Sequence, residues 1–239
     1  MIRAVLFDAV GTLMRPTPSA TAVYAAAGMR HGSTLDKKVV AARFKHAFAR
    51  QESLDRDLHG DRTSEARERD RWEAIVAEVF PCIVEGTTLF EELWRHFGLP
   101  ESWTLFDDVA ETWRALGDSG LTLGVASNFD ARLLRICAEL HPLADCQQVF
   151  VSSLVGWRKP NREFFTAIER TLMLPPEQLL LVGDDLANDY AGARAAGWHA
   201  VLVDRSAEVE SQSGHVPREH RITTLAELPR WLKRAAYMR

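Results

Sequence analysis

The sequence predicts an α/β fold, a doubly wound parallel sheet with a helical cap domain inserted after the first strand. Three observations carry this prediction. Short, continuously apolar runs are typical of strands buried on both faces. Segments with helical periodicity separate these runs, as in a parallel sheet with crossover helices. Residues 8–120 separate the first apolar run from the second, which is far more chain than one crossover helix requires.

The predicted strands are five apolar runs, at residues 4–7, 121–126, 149–151, 179–182 and 200–203. Helical spacing of apolar residues appears between them. The apolar residues that share these helix faces include Val109, Trp113 and Leu116, then Leu133 and Cys137, then Phe164 and Ile168, and then residues 191–196.

The long insertion has apolar helical faces of its own, for example at Val40 and Phe44, at Trp72 and Ile75, and at Leu89 and Leu93. We therefore predict a core domain of residues 1–15 and 100–239 and a helical cap domain of residues 16–99. Half of residues 36–73 are charged, ten positive and nine negative. This balance favours solvated, salt-bridged helix surfaces over a nucleic-acid patch.

Composition excludes several classes of protein. The chain has 239 residues, with 29 Lys and Arg against 33 Asp and Glu, so its formal net charge of −4 argues against nucleic acid as a partner. The three cysteines form no C-x-x-C pair, and the eight histidines show no metal-ligand spacing. No segment has the pattern of a signal peptide or a membrane span, so we expect no membrane association and a reducing, cytoplasmic location.

Polar residues follow the predicted strands where a parallel sheet binds its ligands, at the carboxyl ends. They are Asp8 after the first strand, Ser127 and Asn128 after the second, Lys159 after the third, and Asp184, Asp185 and Asp189 after the fourth. Each alone also fits a turn, a helix cap or a surface side chain. Together they suit Mg²⁺ binding and phosphoryl transfer, with Asp8 as a possible attacking carboxylate.

These residues lie in segments that resemble the four motifs of the haloacid dehalogenase (HAD) superfamily of hydrolases. The segments are residues 7–13 (FDAVGTL), 126–128 (ASN), 158–160 (RKP) and 182–189 (VGDDLAND). The helical insertion resembles the cap of the phosphoglycolate phosphatase and dehalogenase-like branch. The resemblance covers the whole predicted core.

The resemblance implies a role for each matching residue. Asp8 would be the nucleophile, Lys159 would balance charge, and Ser127 with the backbone N–H of Asn128 would bind the phosphoryl group. Thr12 would brace the loop after the first motif. Mg²⁺ would be held by Asp8, the main-chain carbonyl of Val10 and Asp184, with Asp189 and Asp185 in support.

One position departs from the family pattern. Phosphatases of the family carry an acid/base Asp two residues after the nucleophile, where this chain has Val10. Because such a group contributes about 10²–10⁴-fold, we expect alkyl phosphate esters to be poor substrates. The haloacid dehalogenases also lack this acid, but they usually have Tyr there and lack the Gly-Asp-Asp metal pattern that this chain keeps.

The sequence therefore predicts a Mg²⁺-dependent hydrolase that acts on a small phosphorylated metabolite with a reactive leaving group, through an aspartyl-phosphate intermediate. One alternative is a 2-haloacid dehalogenase, and another is a module that binds a phosphorylated ligand or a partner without turnover. A phosphonatase would need a cap lysine, and Lys37, Lys38 and Lys45 lie in the charged run where we expect exposure.

Overall fold

The computed structural model describes residues 1–84, 86–146, 148–205 and 216–237. Its strands are β1 (Ala4–Phe7), β2 (Met14–Pro16), β3 (Trp103–Leu105), β4 (Thr122–Ser127), β5 (Val149–Val151), β6 (Leu179–Gly183), β7 (His199–Val203) and β8 (Arg221–Ile222). Six of these strands form one parallel sheet in the order β5-β4-β1-β6-β7-β8. The predicted doubly wound α/β fold is confirmed.

The helices are α1 (Ala20–Arg30), α2 (Lys37–His59), α3 (Glu65–Val79), α4 (Gly86–His96), α5 (Val109–Gly117), α6 (Arg132–Glu139), α7 (Ser152–Val155), α8 (Arg162–Leu172), α9 (Gly192–Ala195) and α10 (Leu228–Tyr237). A π-helical turn, Leu186–Ala191, precedes α9. Among the described residues, no helix combines the length and the apolar character needed to cross a bilayer.

Strand β1 is the topological switch point of the sheet. The chain continues from β1 outward on one side through β4 and β5, and it returns on the other side through β6, β7 and β8. Phe7, the last residue of β1, pairs with Val125 on one side and with Val182 on the other. The carboxyl ends of β4, β1 and β6 therefore lie side by side, where open α/β sheets place their ligands.

Both faces of the sheet are covered, which explains why its strands are continuously apolar. Val5 and Phe7 of β1 belong to the apolar cluster on one face, and Ala4 and Leu6 belong to the cluster on the other. Helices α1–α4 (the inserted helices) share a third cluster built around residues such as Tyr24, Ile75 and Phe90. The insertion thus contains a core of its own.

The short antiparallel pair of β2 and β3 flanks the inserted helices. Met14 pairs with Leu105 and Pro16 pairs with Trp103, so the two ends of the insertion are held together. This pair lies next to the domain boundaries predicted after residues 15 and 99. The two-domain division itself stays a prediction.

The expectation of solvated charge across residues 36–73 is wrong for several residues. Asp55, Glu68 and Arg71 are only 1–2% exposed. They form part of a buried cluster of ion pairs where α2 and α3 meet the core. Lys37, Lys38 and Lys45 are exposed, as expected.

Candidate active site

The structure brings the polar strand ends together as their positions in the sheet require. Asp8 follows β1, Ser127 ends β4, and Asp184 follows β6. Lys159 lies in the loop between α7 and α8, and Asp189 lies in the π-helical turn. Asp8, Ser127, Lys159 and Asp189 are all buried, whereas Asp184 is exposed at the mouth of the cleft.

One oxygen of the Asp8 carboxylate receives two hydrogen bonds. Ser127 Oγ donates to Asp8 Oδ1 at 3.0 Å, and Lys159 Nζ donates to the same oxygen at 2.8 Å. The other oxygen, Oδ2, receives no hydrogen bond from the described residues. Two donors therefore orient the Asp8 side chain through Oδ1, and the lone pairs of Oδ2 remain available to attack a substrate.

Lys159 is the charged centre of this arrangement. Its ammonium group also donates to Asp189 Oδ1 at 2.6 Å and to the main-chain carbonyl of Ala126 at 2.7 Å. Burial alone would lower the pKa of Lys159, but Asp189 and Asp8 outweigh it and raise the pKa. The lysine thus stays charged although it is 2% exposed, and its three protons are all used.

Three carboxylates form a cluster beside the lysine. One oxygen from each of Asp8, Asp184 and Asp189 lies within 4.8 Å of the others. Although the residue has an exposed surface, Gly11 and Thr12 pack against the carboxyl group of Asp184. This desolvation, together with the nearby carboxylates of Asp8 and Asp189, raises the pKa of Asp184 to about 7. Burial also raises the pKa of Asp189 to about 7, with Asp8 adding to the effect and Lys159 opposing it. The single ammonium group of Lys159 therefore does not neutralise the three carboxylates.

The loop after β1 is shaped to fit against this cluster. Gly11 has a φ of 93°, and a Cβ at this position would overlap the Asp184 carboxylate. A side chain would be disfavoured at Gly11 both by this conformation and by this contact. Thr12, which is fully buried, donates from Oγ1 to Asp184 Oδ1 at 2.9 Å. Thr12 thus holds the loop after β1 against the site by its hydrogen bond to the Asp184 carboxylate.

Two other predicted site residues have mainly positioning contacts. The amide group of Asn128 donates to the carbonyl of Lys159 at 2.9 Å and accepts from its N–H at 2.8 Å. Asp185 caps the π-helical turn by accepting from the N–H groups of Ala187 and Asn188. Asp185 does not belong to the cluster of three carboxylates found among the described residues.

The inserted helices contact the loop that carries Lys159. The N–H of Arg158 donates to the carbonyl of Asp61 at 2.8 Å, and its guanidinium binds Glu68 of α3. Asp55 of α2 lies 4.0 Å from the same guanidinium. Arg158 is only 5% exposed, although an arginine in a loop is ordinarily solvated. Its burial follows from contacts with helices far away in the sequence.

Trp157 and Arg15 lie next to two of the motif segments in the sequence. Trp157 is half-buried, and Arg62 of the insertion stacks on its ring with 4.4 Å between Cζ and the ring centroid. Arg15 is exposed, and its Cζ lies 5.5 Å from the Phe106 ring centroid.

Sequence reasoning missed Arg205 as a support of the site. Its guanidinium donates to the main-chain carbonyl of Thr12 at 2.7 Å and pairs with Asp108 at 2.9 and 3.0 Å. Asp108 also accepts from Thr224 and from the N–H of Leu225. Arg205 lies two residues after β7, at the carboxyl end of another strand of the sheet. This position in the sequence could have identified it.

At one edge of the parallel sheet, a buried carboxylate lies between a lysine, a serine and two further carboxylates, which is the geometry of a hydrolase that uses a carboxylate nucleophile. The family model for "haloacid dehalogenase-like hydrolase" matches residues 2–197. The chain belongs to the haloacid dehalogenase-like hydrolase family.

Several known proteins are similar to this chain over most of its length. The human haloacid dehalogenase-like hydrolase domain-containing protein 3 is 29% identical over 235 residues, which cover 95% of this chain and 92% of that protein. A ribulose-1,5-bisphosphate 5-phosphatase from Halopiger xanaduensis is 28% identical over 239 residues, covering 95% and 98%. The crystal structure of a 2-haloacid dehalogenase from Pseudomonas syringae has a TM-score of 0.67 at 22% identity, covering 98% and 100%.

Proposed function

We propose that the protein is a Mg²⁺-dependent phosphatase that transfers a phosphoryl group from a small phosphorylated compound to Asp8 and then to water. One observation carries this proposal. A buried Asp8 carboxylate is fixed through one oxygen by Ser127 and Lys159, and it shares a site with Asp184 and Asp189. This arrangement combines a nucleophile with the charge neutralisation that phosphoryl transfer needs.

The side chains fit a hard divalent cation. All donors in the cluster are carboxylate oxygens, the ligand type that Mg²⁺ prefers, and a single ammonium group leaves negative charge uncompensated. Asp8 and Asp184 would hold the ion together with the main-chain carbonyl of Val10, and Asp189 would support them. Asp185 would act through the turn that it caps. When bound, the ion supplies positive charge against the phosphoryl oxygens.

In the first step, Asp8 Oδ2 attacks phosphorus, and the bond between phosphorus and the leaving-group oxygen breaks with its electron pair on that oxygen. Lys159 and Ser127 hold Oδ1 and so keep Oδ2 aligned. With substrate bound, Ser127 would turn its one hydroxyl proton from Asp8 Oδ1 to a phosphoryl oxygen, and Lys159 would continue to hold Oδ1. The backbone N–H of Asn128 would donate to another phosphoryl oxygen, because the Asn128 side chain is occupied by Lys159. In the second step, water attacks phosphorus, the bond from phosphorus to Asp8 Oδ2 breaks with its electron pair on the carboxylate, and the proton of the water passes to solvent as phosphate leaves.

Val10 sets the limits of this reaction. Valine has no proton to donate to a leaving alkoxide and cannot accept one from the attacking water. The best substrates therefore have leaving groups that depart as stable anions. A phosphonatase mechanism is disfavoured because Lys37, Lys38 and Lys45 are exposed on α2.

The test is hydrolysis of acetyl phosphate, whose acetate leaving group needs no proton. We expect Mg²⁺-dependent phosphate release that Asp8→Asn abolishes. Asp118→Asn, an exposed control at the opposite end of the sheet, should keep the activity. Release that survives Asp8→Asn would contradict the nucleophile assignment. Mg²⁺-dependent phosphate binding without turnover would indicate a non-catalytic module, and chelator-resistant halide release from 2-haloacids would indicate a dehalogenase.

A further inference from the structure

A largely aromatic cavity of about 260 Å³ lies between the inserted helices and the core. Phe48, Trp72 and Trp94 contribute to its wall from α2, α3 and α4, and Trp103 contributes from β3. These side chains come from elements far apart in the sequence, so the cavity exists only in the folded chain. It is distinct from the ordinary apolar packing of the sheet, because it is open space beside the cleft.

The cavity reaches residues that are close in sequence to the reacting carboxylate and to Ser127. Val10 and Asn128 line it, and they are two residues after Asp8 and one residue after Ser127. Val10 is 37% exposed, so the residue without an acidic proton is also part of the cavity wall. A leaving group bound to phosphorus beside Asp8 would therefore meet Val10 first and the aromatic wall beyond it.

The lining carries no unpaired charge among the described residues. Arg132 is the one ionised side chain among the described lining residues, and its guanidinium is paired with Asp130 through two hydrogen bonds of 2.7 Å. The same guanidinium donates to the Trp94 carbonyl at 2.6 Å and stacks on the Trp94 ring. Burial raises the pKa of Tyr24, which keeps its phenol neutral. An uncharged aromatic wall binds an apolar group and disfavours a sugar or a second phosphate.

From this geometry we infer that the cavity binds an aromatic leaving group, so that the substrate class is an aryl phosphate; this inference rests on the proposed function. Asp8 attacks phosphorus, the bond from phosphorus to the aryl oxygen breaks, and the electron pair leaves on a phenolate that later takes a proton from solvent. A phenol such as Tyr has a pKa of about 10, against about 15.7 for water. A phenolate therefore departs without the acid that Val10 replaces.

The volume of the cavity agrees with this class. An apolar cavity of about 150 Å³ is large enough to bind benzene. A cavity of about 260 Å³ therefore accepts a single ring or two fused rings. A naphthyl group fills this space better than a phenyl group.

The experiment compares 1-naphthyl phosphate with acetyl phosphate, which has a good leaving group but no ring. We expect kcat/KM at least tenfold higher for 1-naphthyl phosphate. Ala20→Leu extends a half-buried wall residue into the cavity and should lower the ratio of the two kcat/KM values at least fivefold. Ala26→Leu, at an exposed position of the same helix, should keep the ratio.

The outcomes separate this inference from the proposed function. Hydrolysis of acetyl phosphate without a naphthyl preference would overturn the aryl inference alone. Absence of phosphate release from both compounds would overturn the proposed function. An unchanged ratio in a folded Ala20→Leu protein would place the ring elsewhere. As a measurement that needs no variant, 1-naphthol should inhibit acetyl phosphate hydrolysis competitively in the unmodified protein, and absence of inhibition would also overturn the inference.

Discussion

Replacing Val10 with Asp is the most informative perturbation of the candidate site. Val10 is partly exposed, lines the aromatic cavity and lies two residues after the reacting carboxylate. An Asp side chain is close to Val in size, and at this position it would place a carboxyl group beside the leaving-group oxygen. The change therefore supplies the missing proton donor while altering the cavity wall only at one point.

The magnitude depends on the leaving group. General acid catalysis is worth about 10²–10⁴-fold, so kcat/KM for propyl phosphate should rise at least about 100-fold, equivalent to about 2.7 kcal/mol of transition-state stabilisation. Phenyl phosphate should gain much less, because phenolate departs without help. The added carboxyl lies near Asp8 and Asp184, so repulsion is expected to offset part of the gain.

The assay measures phosphate release from both esters, with Val10→Asn as the matched control. Asn has the size of Asp but no acidic proton, so it should leave the ratio of propyl to phenyl phosphate turnover unchanged. Equal gains for both esters, or the same effect from Asp and Asn, would refute the general-acid reasoning. Thermal unfolding of each variant separates a chemical effect from loss of the fold.

Two further predictions concern charge. Because the pKa of Asp184 is raised to about 7 in the folded protein, ionising this carboxyl destabilises the metal-free fold as the pH rises from about 4 to 7. Asp184→Asn should therefore raise the metal-free Tm at pH 8 by a few degrees, and it should remove most of the increase in Tm that Mg²⁺ causes. Calorimetry that shows neither change would contradict the role of the Asp184 charge. Arg158→Met removes the ion-pair partner of the buried Glu68, which keeps only the hydrogen bond from the Thr63 hydroxyl. The free energy of unfolding should fall by about 3–5 kcal/mol. A decrease of less than about 1 kcal/mol in a urea titration would show that the ion pair is dispensable.

The site was predictable because it depends on strand ends. Asp8, Ser127 and Asp184 each follow an apolar run, and parallel strands bring their carboxyl ends to one edge of the sheet. Their order along the chain was therefore enough to expect them together. The association of Lys159 with Asp189 was not predictable in this way, because it depends on the exact path of two loops.

The contacts between the insertion and the core could not be predicted from the sequence. Arg158 and Glu68 are 90 residues apart, and a charged residue on a polar helix is normally solvated. Helix α1 could not be predicted from the apolar pattern because of its own composition. Its many alanines form helix readily but give little contrast between an apolar and a polar face. The cavity is formed where the insertion packs on the core, and helix α1 contributes to its wall. Its aromatic lining therefore could not be predicted from the sequence.

The central claim is that Asp8 carries the phosphoryl group during turnover. Acid quenching during steady-state hydrolysis of acetyl phosphate with Mg²⁺, followed by mass spectrometry of the peptide that contains Asp8, tests it directly. We predict a fraction of this peptide heavier by one phosphoryl group, with the modification on Asp8 and absent from the Asp8→Asn protein. Phosphate release at full rate with the added group on another residue, or on none, would contradict the account.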